Sequence, residues 1–123
     1  MNETQTIEQA NWAAFAEEFS KQYAGNNASL EMVGEDVGDQ YAAENLPFVG
    51  MTLESKGSAA GSLVLMLGTE GTDHMERLIA GPKSLKVHTS PEGETVLEIE
   101  AADEPTLLLH LSPLLALPVP EAA

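Results

Sequence analysis

Two histidines and two glutamates stand at alternating positions near the C-terminal end of the chain. His88 follows "KSLKV", Glu98 and Glu100 lie in "TVLEIEA", and His110 interrupts "TLLLHLS". Alternate residues of a β-strand face opposite sides of the sheet, so these side chains share one face if the three segments are neighbouring strands. Two imidazoles and a carboxylate can bind zinc or another transition metal. The pattern therefore makes His88, Glu98 and His110 candidate metal ligands.

Other interpretations of the polar residues stay open. A slip of one residue in strand register would move these side chains to the other face, and the same set also fits solvated acid–histidine pairs that balance charge. A Ser–His–acid catalytic arrangement has no local support, so no catalytic residue is assigned. His74 is predicted to be exposed. The segments "GEDVGDQ" and "GTEGTDH" lack the ligand spacing of a calcium loop and are predicted to be turns.

The charge balance excludes several classes of function. Twenty acidic residues face five basic ones, for a net charge of −15. Binding to nucleic acid or to a membrane surface is disfavoured because it requires Lys and Arg to displace counterions. The simplest explanation of the acid excess is that it favours solubility. More specific explanations are a salt-rich cytoplasm or a basic protein partner. The absence of cysteine excludes disulfides and thiol chemistry. The polar N-terminus lacks the pattern of a secretory signal, so a cytoplasmic location is expected.

An amphipathic helix is predicted near the N-terminus, over about residues 6–24. Thr6 and Gln9 resemble a capping box, Thr4 is an alternative start, and Gly25 suits the helix C-terminus. Aromatic and small residues recur at a spacing of three or four on one face of this helix, namely Trp12, Phe15, Ala16, Phe19 and Tyr23. Such a stripe is expected to pack on the rest of the protein. An alternative is a small-ligand pocket, which would need a void lined by Trp12, Phe15 and Tyr41.

The remainder of the chain is typical of short strands joined by turns over about residues 29–111. The strand segments are "SLEMVG", "QYAAENL", "FVGMTLES", "SLVLMLG", "HMERLIAG", "KSLKVHTS", "TVLEIEA" and "TLLLHLS", with Pro47 separating the second from the third. Connections this short suit antiparallel pairing. We therefore predict a single α+β domain over residues 1–123, in which one helix packs on a mostly antiparallel sheet of seven or eight strands. Curling of that sheet into a partial barrel stays open.

The C-terminal segment, residues 112–123, is predicted to be an extended, proline-rich tail. It carries four apolar side chains, Leu114, Leu115, Leu117 and Val119. These side chains are expected either to pack back on the sheet or to contact another subunit, because exposed apolar patches mark contacts.

Short motifs in a fixed order carry a family resemblance. They are Trp12, Phe15, Phe19 and Ser20; Gly34, Asp36 and Gly38; Leu46 and Pro47; Leu67 and Gly68; and Ile79 to Pro82. In these motifs the chain resembles the small prokaryotic proteins grouped as domain of unknown function family 5335, over roughly Thr6 to Ser112. One departure is an extra residue in "LIAGP", which puts the strand pairing there in question. The resemblance implies a stand-alone domain and no assigned activity, so it transfers no catalytic residue.

These observations favour an interaction or accessory domain that binds without catalysis and without a cofactor. The expected partner is another protein or a second copy of the chain, which would meet through a sheet edge or the leucine-rich tail. The alternative is a metal-dependent or small-molecule-processing enzyme that uses His88, Glu98 and His110.

Overall fold

A computed structural model describes residues 3–34, 38–55, 57, 60–68, 74–91, 93–102 and 104–112. Within these residues the chain forms one helix and eight strands. The elements are β1 (Glu3–Ile7), a 3₁₀ turn (Gln9–Asn11), α1 (Trp12–Tyr23), β2 (Asn27–Gly34), β3 (Gly38–Leu53), β4 (Leu63–Gly68), β5 (His74–Ile79), β6 (Pro82–Thr89), β7 (Thr95–Ala101) and β8 (Thr106–Ser112). The predicted tail lies outside the described residues from Pro113 onward.

The strands form one antiparallel sheet in the order β1-β6-β7-β8-β2-β3-β4-β5. Two meanders, β2 to β5 and β6 to β8, are joined because β2 pairs with β8. The pairing of β6 with β7 is irregular between Pro82 and Ser84, close to the "LIAGP" segment. The predicted α+β fold, with one helix on a mostly antiparallel sheet, is confirmed.

The sheet is curled but is not closed into a barrel. Strand β5 is one edge, and β6 is the second strand from the other edge, yet only Ala80 and Gly81 separate them in sequence. Three Cα–Cα steps span at most about 11 Å, so the ends of β5 and β6 must lie close together. An ion pair of 3.7 Å between Arg77 and Glu104 also joins β5 to the turn before β8. Because β1 and β5 remain edges, the curl is partial.

The helix starts later than the sequence predicts. Its residues are Trp12–Tyr23, and Thr4 and Thr6 lie instead in β1, where they face His88 and Lys86 of β6. The predicted start at residue 6 and the capping box of Thr6 with Gln9 are therefore wrong. The run of exposed polar residues before Ile7 suits an edge strand, where both faces can meet water. The predicted C-terminal end of the helix is correct. Helix α1 ends at Tyr23, Ala24 follows it, and Gly25 then adopts φ 87°.

Helix α1 lies along the edge of β3 that β2 leaves uncovered. The first part of β3 pairs with β2 as far as Pro47, whereas its second part has β4 as its one partner strand among the described residues. The hydroxyl of Ser20 accepts a hydrogen bond from the Met51 N–H at 2.8 Å. The same oxygen lies 2.9 Å from the Met51 carbonyl and 2.8 Å from that of Ala16. One side chain thus takes the place of a neighbouring strand for both backbone groups of Met51.

Replacing Ser20 with alanine is expected to lower the free energy of unfolding by about 1–3 kcal/mol, because Met51 loses both partners in a largely buried position. Chemical denaturation monitored by circular dichroism measures the change. The matched control is the same replacement at Ser55, which is exposed and should change stability by less than about 0.5 kcal/mol. Equal effects at the two serines would contradict this role of Ser20.

Pro47 does not end a strand, contrary to prediction, because β3 runs continuously from Gly38 to Leu53. Proline has no N–H to donate to a ladder and is tolerated where pairing stops. Pro47 stands at such a place, since its pair with Asn27 ends the ladder between β2 and β3. Pro47 therefore marks the point at which β3 stops pairing with β2 and starts pairing with β4.

The core lies between α1 and the concave face of the sheet. Its aromatic members are Trp12 and Phe19 of the helix and Phe48 of β3, with Phe19 and Phe48 in an edge-on contact of 5.7 Å between ring centroids. The indole N–H of Trp12 donates to the carbonyl of Ile7 at 2.9 Å, so the helix also holds the end of β1. The prediction that the aromatic stripe packs into the core is thereby confirmed.

Candidate functional site: a polar outer face

The side chains with potential for chemistry lie on the outer face of the sheet, opposite the core. Strand register aligns five residues in one row across this face, in the order Thr4, His88, Val96, His110 and Ser29. We call these residues the histidine row. A second row lies beside it and contains Lys86, Glu98, Leu108, Glu31 and Tyr41. The strand register thus places His88, Glu98 and His110 on one face of the sheet, as the alternation in the sequence predicted.

His88 links three strands through hydrogen bonds at both ring nitrogens. Its Nε2 lies 2.8 Å from Oε1 of Glu98, and its Nδ1 lies 2.9 Å from Oγ1 of Thr4. A carboxylate only accepts, so Nε2 donates to Glu98, and Nδ1 accepts from the Thr4 hydroxyl whenever it carries no proton of its own. This arrangement connects the edge strand β1 to β6 and β7.

His110 makes the more buried of the two pairs. Its Nε2 donates to Oε1 of Glu31 at 2.7 Å, and Glu31 is only 8% exposed. Its Nδ1 lies 3.6 Å from Oε2 of Glu94, which is in range for an ion pair when the ring is protonated. The phenol ring of Tyr41 lies 6.2 Å from the imidazole, centroid to centroid. Carboxylates therefore face both nitrogens of His110.

A polar depression of about 390 Å³ surrounds His110. The residues that line it are Asn27, Ser29, Tyr41, Glu44, Asn45, Glu94, His110 and Ser112. It lies where the ladder between β2 and β3 is irregular, and Asn45 adopts φ 56° there. Asparagine tolerates this left-handed conformation better than most residues. The backbone N–H of Asn45 donates to the Ser29 hydroxyl at 3.0 Å, and the Asn27 amide donates to Oδ1 of Asn45 at 3.0 Å.

Two carboxyl groups beside His110 shift each other's pKa in opposite directions. The hydrogen bond with Asp39, followed by that with His110, lowers the pKa of Glu31 below its ordinary value. The same hydrogen bond with Glu31, together with desolvation, raises the pKa of Asp39. The negative charge of Glu31 and desolvation also raise the pKa of Tyr41. Glu31 is therefore the carboxyl of this pair that ionises first, and Asp39 holds its proton to higher pH.

The structure divides the proposed metal ligands between two separate pairs. His88 and His110 are two strands apart with Val96 between them, which separates their backbones by about 9.5 Å. Glu98 makes its hydrogen bond with His88, and Glu100 lies opposite Ser84. In the described part of the chain, no three His, Asp or Glu side chains are grouped so as to hold a metal ion. His74 is exposed at the start of β5.

Sequence reasoning missed Glu31 and Glu94 and misplaced Tyr41. Tyr41 is 49% exposed on the outer face, whereas Trp12 is 4% exposed in the core. The hypothesis of one void lined by Trp12, Phe15 and Tyr41 is therefore wrong, because the sheet lies between the two aromatic groups. The outward parity of Glu31 was visible in "SLEMVG", but its pairing with His110 depends on the adjacency of β2 and β8.

In the described ranges there is no helix that is both long and apolar enough to cross a membrane.

Comparisons with known proteins identify one family and one relative. The sequence model of a family of unknown function, DUF5335, matches residues 3–120. An uncharacterized protein of Aquifex aeolicus (strain VF5) is 26% identical over 118 residues, which are 96% of this chain and 98% of that protein. No solved structure matches the chain. Since the family match extends over nearly the whole sequence, the chain belongs to the DUF5335 family.

Proposed function

We propose that this protein is a non-catalytic binding domain that accepts a basic segment of a partner protein on its outer face. The observation that carries the proposal is the depression around His110, whose lining includes the carboxylates of Glu44 and Glu94 and, among the described residues, no Lys or Arg. Carboxylates without a neighbouring Lys or Arg attract an ammonium or guanidinium group, and Arg pairs with a carboxylate through two parallel hydrogen bonds.

Tyr41 supports the same type of partner. Its ring is half exposed beside the depression. A cation placed over an aromatic face is attracted by the ring quadrupole, and Arg stacks on such a face more often than Lys. The depression has room for one or two long side chains, so a short segment that carries Lys or Arg suits it better than a large rigid surface. The net charge of −15 adds long-range attraction for a basic partner.

The contacts of His110 favour binding over catalysis. A general base must reach the proton that it removes, and a serine nucleophile needs a hydrogen bond to its base. The Nε2 atom of His110 is bonded to Glu31, and the Ser29 hydroxyl accepts the N–H of Asn45. Among the described residues, no hydroxyl group makes a hydrogen bond to His110.

Titration calorimetry with an Arg-containing peptide and with an acidic peptide of equal length tests this proposal. The basic peptide should bind, and the double variant Glu44→Gln/Glu94→Gln should weaken its binding about tenfold, as expected for the loss of two partly exposed ion pairs. Raising the salt concentration should weaken binding further.

The matched control is the double variant Glu18→Gln/Glu76→Gln, which removes the same amount of charge at exposed positions on α1 and β5. Its affinity for the peptide should stay within about twofold of the original protein, since only long-range attraction changes. Equal weakening by the two double variants would mean non-specific attraction and would refute a site at the depression.

A further inference from the structure

His88 differs from His110 because one of its ring nitrogens contacts a hydroxyl group. Its Nδ1 lies 2.9 Å from Oγ1 of Thr4, and its Nε2 lies 2.8 Å from Oε1 of Glu98. Glu98 keeps the proton of the neutral imidazole on Nε2, because a carboxylate only accepts. The lone pair of Nδ1 is then directed at the Thr4 hydroxyl. A hydroxyl, an imidazole and a carboxylate in this order form the arrangement that activates a nucleophile.

Three neighbouring strands position these groups. Thr4 of β1 lies directly opposite His88 of β6. Glu98 of β7 lies diagonally to His88, since the residue directly opposite His88 is Val96. The irregular part of the ladder between β6 and β7 lies at residues 82–84, near the other end of β6. Side chains on paired strands are held more precisely than side chains on loops, so the hydrogen bonds of His88 rest on a regular part of the sheet.

The Thr4 hydroxyl is accessible to reagents in solution. Thr4 is exposed, and β1 is an edge strand of the sheet. Ile7 belongs to the core, so the alternation of a strand places Thr4 and Thr6 on the outer face. The side chains of His88 and Glu98 are partly exposed beside Thr4. A molecule that reacts at Thr4 can therefore approach it from solvent.

The charge around Thr4 restricts the class of reagent. Glu3 precedes Thr4, Glu98 contacts His88, and the net charge of the protein is −15. This charge repels a negatively charged donor and leaves the approach of an uncharged donor unaffected. Uncharged esters or thioesters of small carboxylic acids therefore suit the site.

We propose that Thr4 is an acyl-acceptor site, which activated, uncharged esters or thioesters of small carboxylic acids modify. Oγ1 of Thr4 attacks the carbonyl carbon of the donor while Nδ1 of His88 takes the hydroxyl proton. The bond from that carbon to the departing oxygen or sulfur breaks, and the departing atom receives the proton from Nδ1. The products are an ester on Thr4 and a free alcohol or thiol. Glu98 is a positioning residue, which maintains the tautomer of His88.

The acyl group stays on Thr4, so the step is a modification of this protein and not turnover of a substrate. Esterification removes the proton that Thr4 donates to His88 and breaks this side-chain link between β1 and β6. The inference does not depend on the proposed binding of a basic partner, because Thr4, His88 and Glu98 are not among the residues that line the depression.

Reaction of the full-length chain with p-nitrophenyl acetate, an uncharged activated ester, tests the proposal. Peptide mass mapping locates the acetyl groups, and hydroxylamine removes them from hydroxyl oxygens but not from amines. Thr6 is the internal control, because it lies on the same strand and face but opposite Lys86. We expect Thr4 to be acetylated at least about tenfold faster than Thr6, since a positioned general base accelerates such a step by about 10²–10⁴-fold. A smaller ratio would overturn the proposal.

Two variants isolate the contribution of the His88 imidazole. His88→Gln retains a side chain that can hydrogen-bond to Thr4 but cannot take its proton, so acetylation of Thr4 should fall to about the rate at Thr6. The matched control His74→Gln removes an exposed imidazole from β5. It should leave the rate at Thr4 within about twofold, because a general base acts only within hydrogen-bond reach. An unchanged rate in His88→Gln, or equal losses in the two variants, would contradict the role of His88.

Nitrogen NMR of the His88 ring tests the role of Glu98. We expect the ring proton on Nε2 in the original protein. Glu98→Gln keeps the size of the side chain, but its amide can donate to Nε2 and so move the ring proton to Nδ1. Acetylation of Thr4 should then slow about tenfold or more, because a ring in the wrong tautomer cannot take the hydroxyl proton. A proton on Nδ1 of the neutral ring in the original protein would refute the proposed activation of Thr4.

Discussion

Replacing Trp12 with alanine is expected to lower the free energy of unfolding by about 3–5 kcal/mol, the largest loss from any single change considered. Trp12 is 4% exposed and belongs to the core cluster, so its removal leaves a cavity between the helix and the sheet. The replacement also removes the N–H that bonds to the Ile7 carbonyl and holds the end of β1. Chemical denaturation followed by circular dichroism measures the loss.

Two further variants separate packing from hydrogen bonding at this position. Trp12→Phe keeps most of the apolar volume but lacks the N–H, so its cost should be clearly smaller than that of Trp12→Ala. Tyr41→Ala removes an aromatic ring from the exposed outer face and should cost less than about 1 kcal/mol. If Tyr41→Ala were as destabilising as Trp12→Ala, the assignment of the two faces would be incorrect.

Replacing His110 with alanine is expected to lower the free energy of unfolding by about 2–3 kcal/mol, because Oε1 of the nearly buried Glu31 carboxylate loses the donor that His110 supplies. His110→Gln should recover part of this loss, since an amide can donate to the same oxygen. The matched control is His88→Ala on the same row. The side chains of His88 and Glu98 are 36% and 22% exposed, against 27% and 11% for His110 and Glu31, so about 1 kcal/mol or less is expected there.

The effect of His110→Ala should also depend on pH. Glu31 has a lowered pKa in the folded state, so its contribution to stability is present above the ordinary value of 4.5 and is lost as pH falls through the folded-state pKa. His110 is one cause of that lowering, after Asp39. The stability difference between the original protein and His110→Ala should therefore be largest above pH 4.5 and narrow on acidification. A difference that widened at acidic pH would contradict the pairing.

Local patterns in the sequence predicted the elements better than their partners. The residue patterns identified a segment of every strand from β2 to β8, although β3 was predicted as two strands, and a spacing of three and four identified the apolar face of the helix. The edge strand β1 was missed because its polar run, Glu3 to Thr6, carries the same residue types as a helix cap. The prediction that Pro47 separates two strands is wrong for a similar reason. The missing N–H indicates that pairing stops at Pro47, but not whether β3 itself or the neighbouring strand ends there.

The candidate site was predictable only in part for a related reason. Alternation placed His88, Glu98 and His110 on one face, but it contains no information about strand order. The partner of His110 is Glu31, which is 79 positions away and adjacent only because β2 pairs with β8. The depression around His110 also depends on the irregular ladder between β2 and β3 near Asn45. No local residue pattern predicts that irregularity.

The pairing of β2 with β8 also determines when this protein can fold during its synthesis. Strand β2 leaves the ribosome early. Strand β8 leaves it only after most of the chain has been made. Until β8 is made, one edge of β2 has unpaired backbone N–H and C=O groups. Strands β6 and β7 also lack the strand that connects them to β2. Long-range closure of this kind slows folding and exposes unpaired strands to aggregation. A nascent chain that stalls before Thr106 would therefore require protection of that edge, whereas release of the complete chain permits both halves to join in one step.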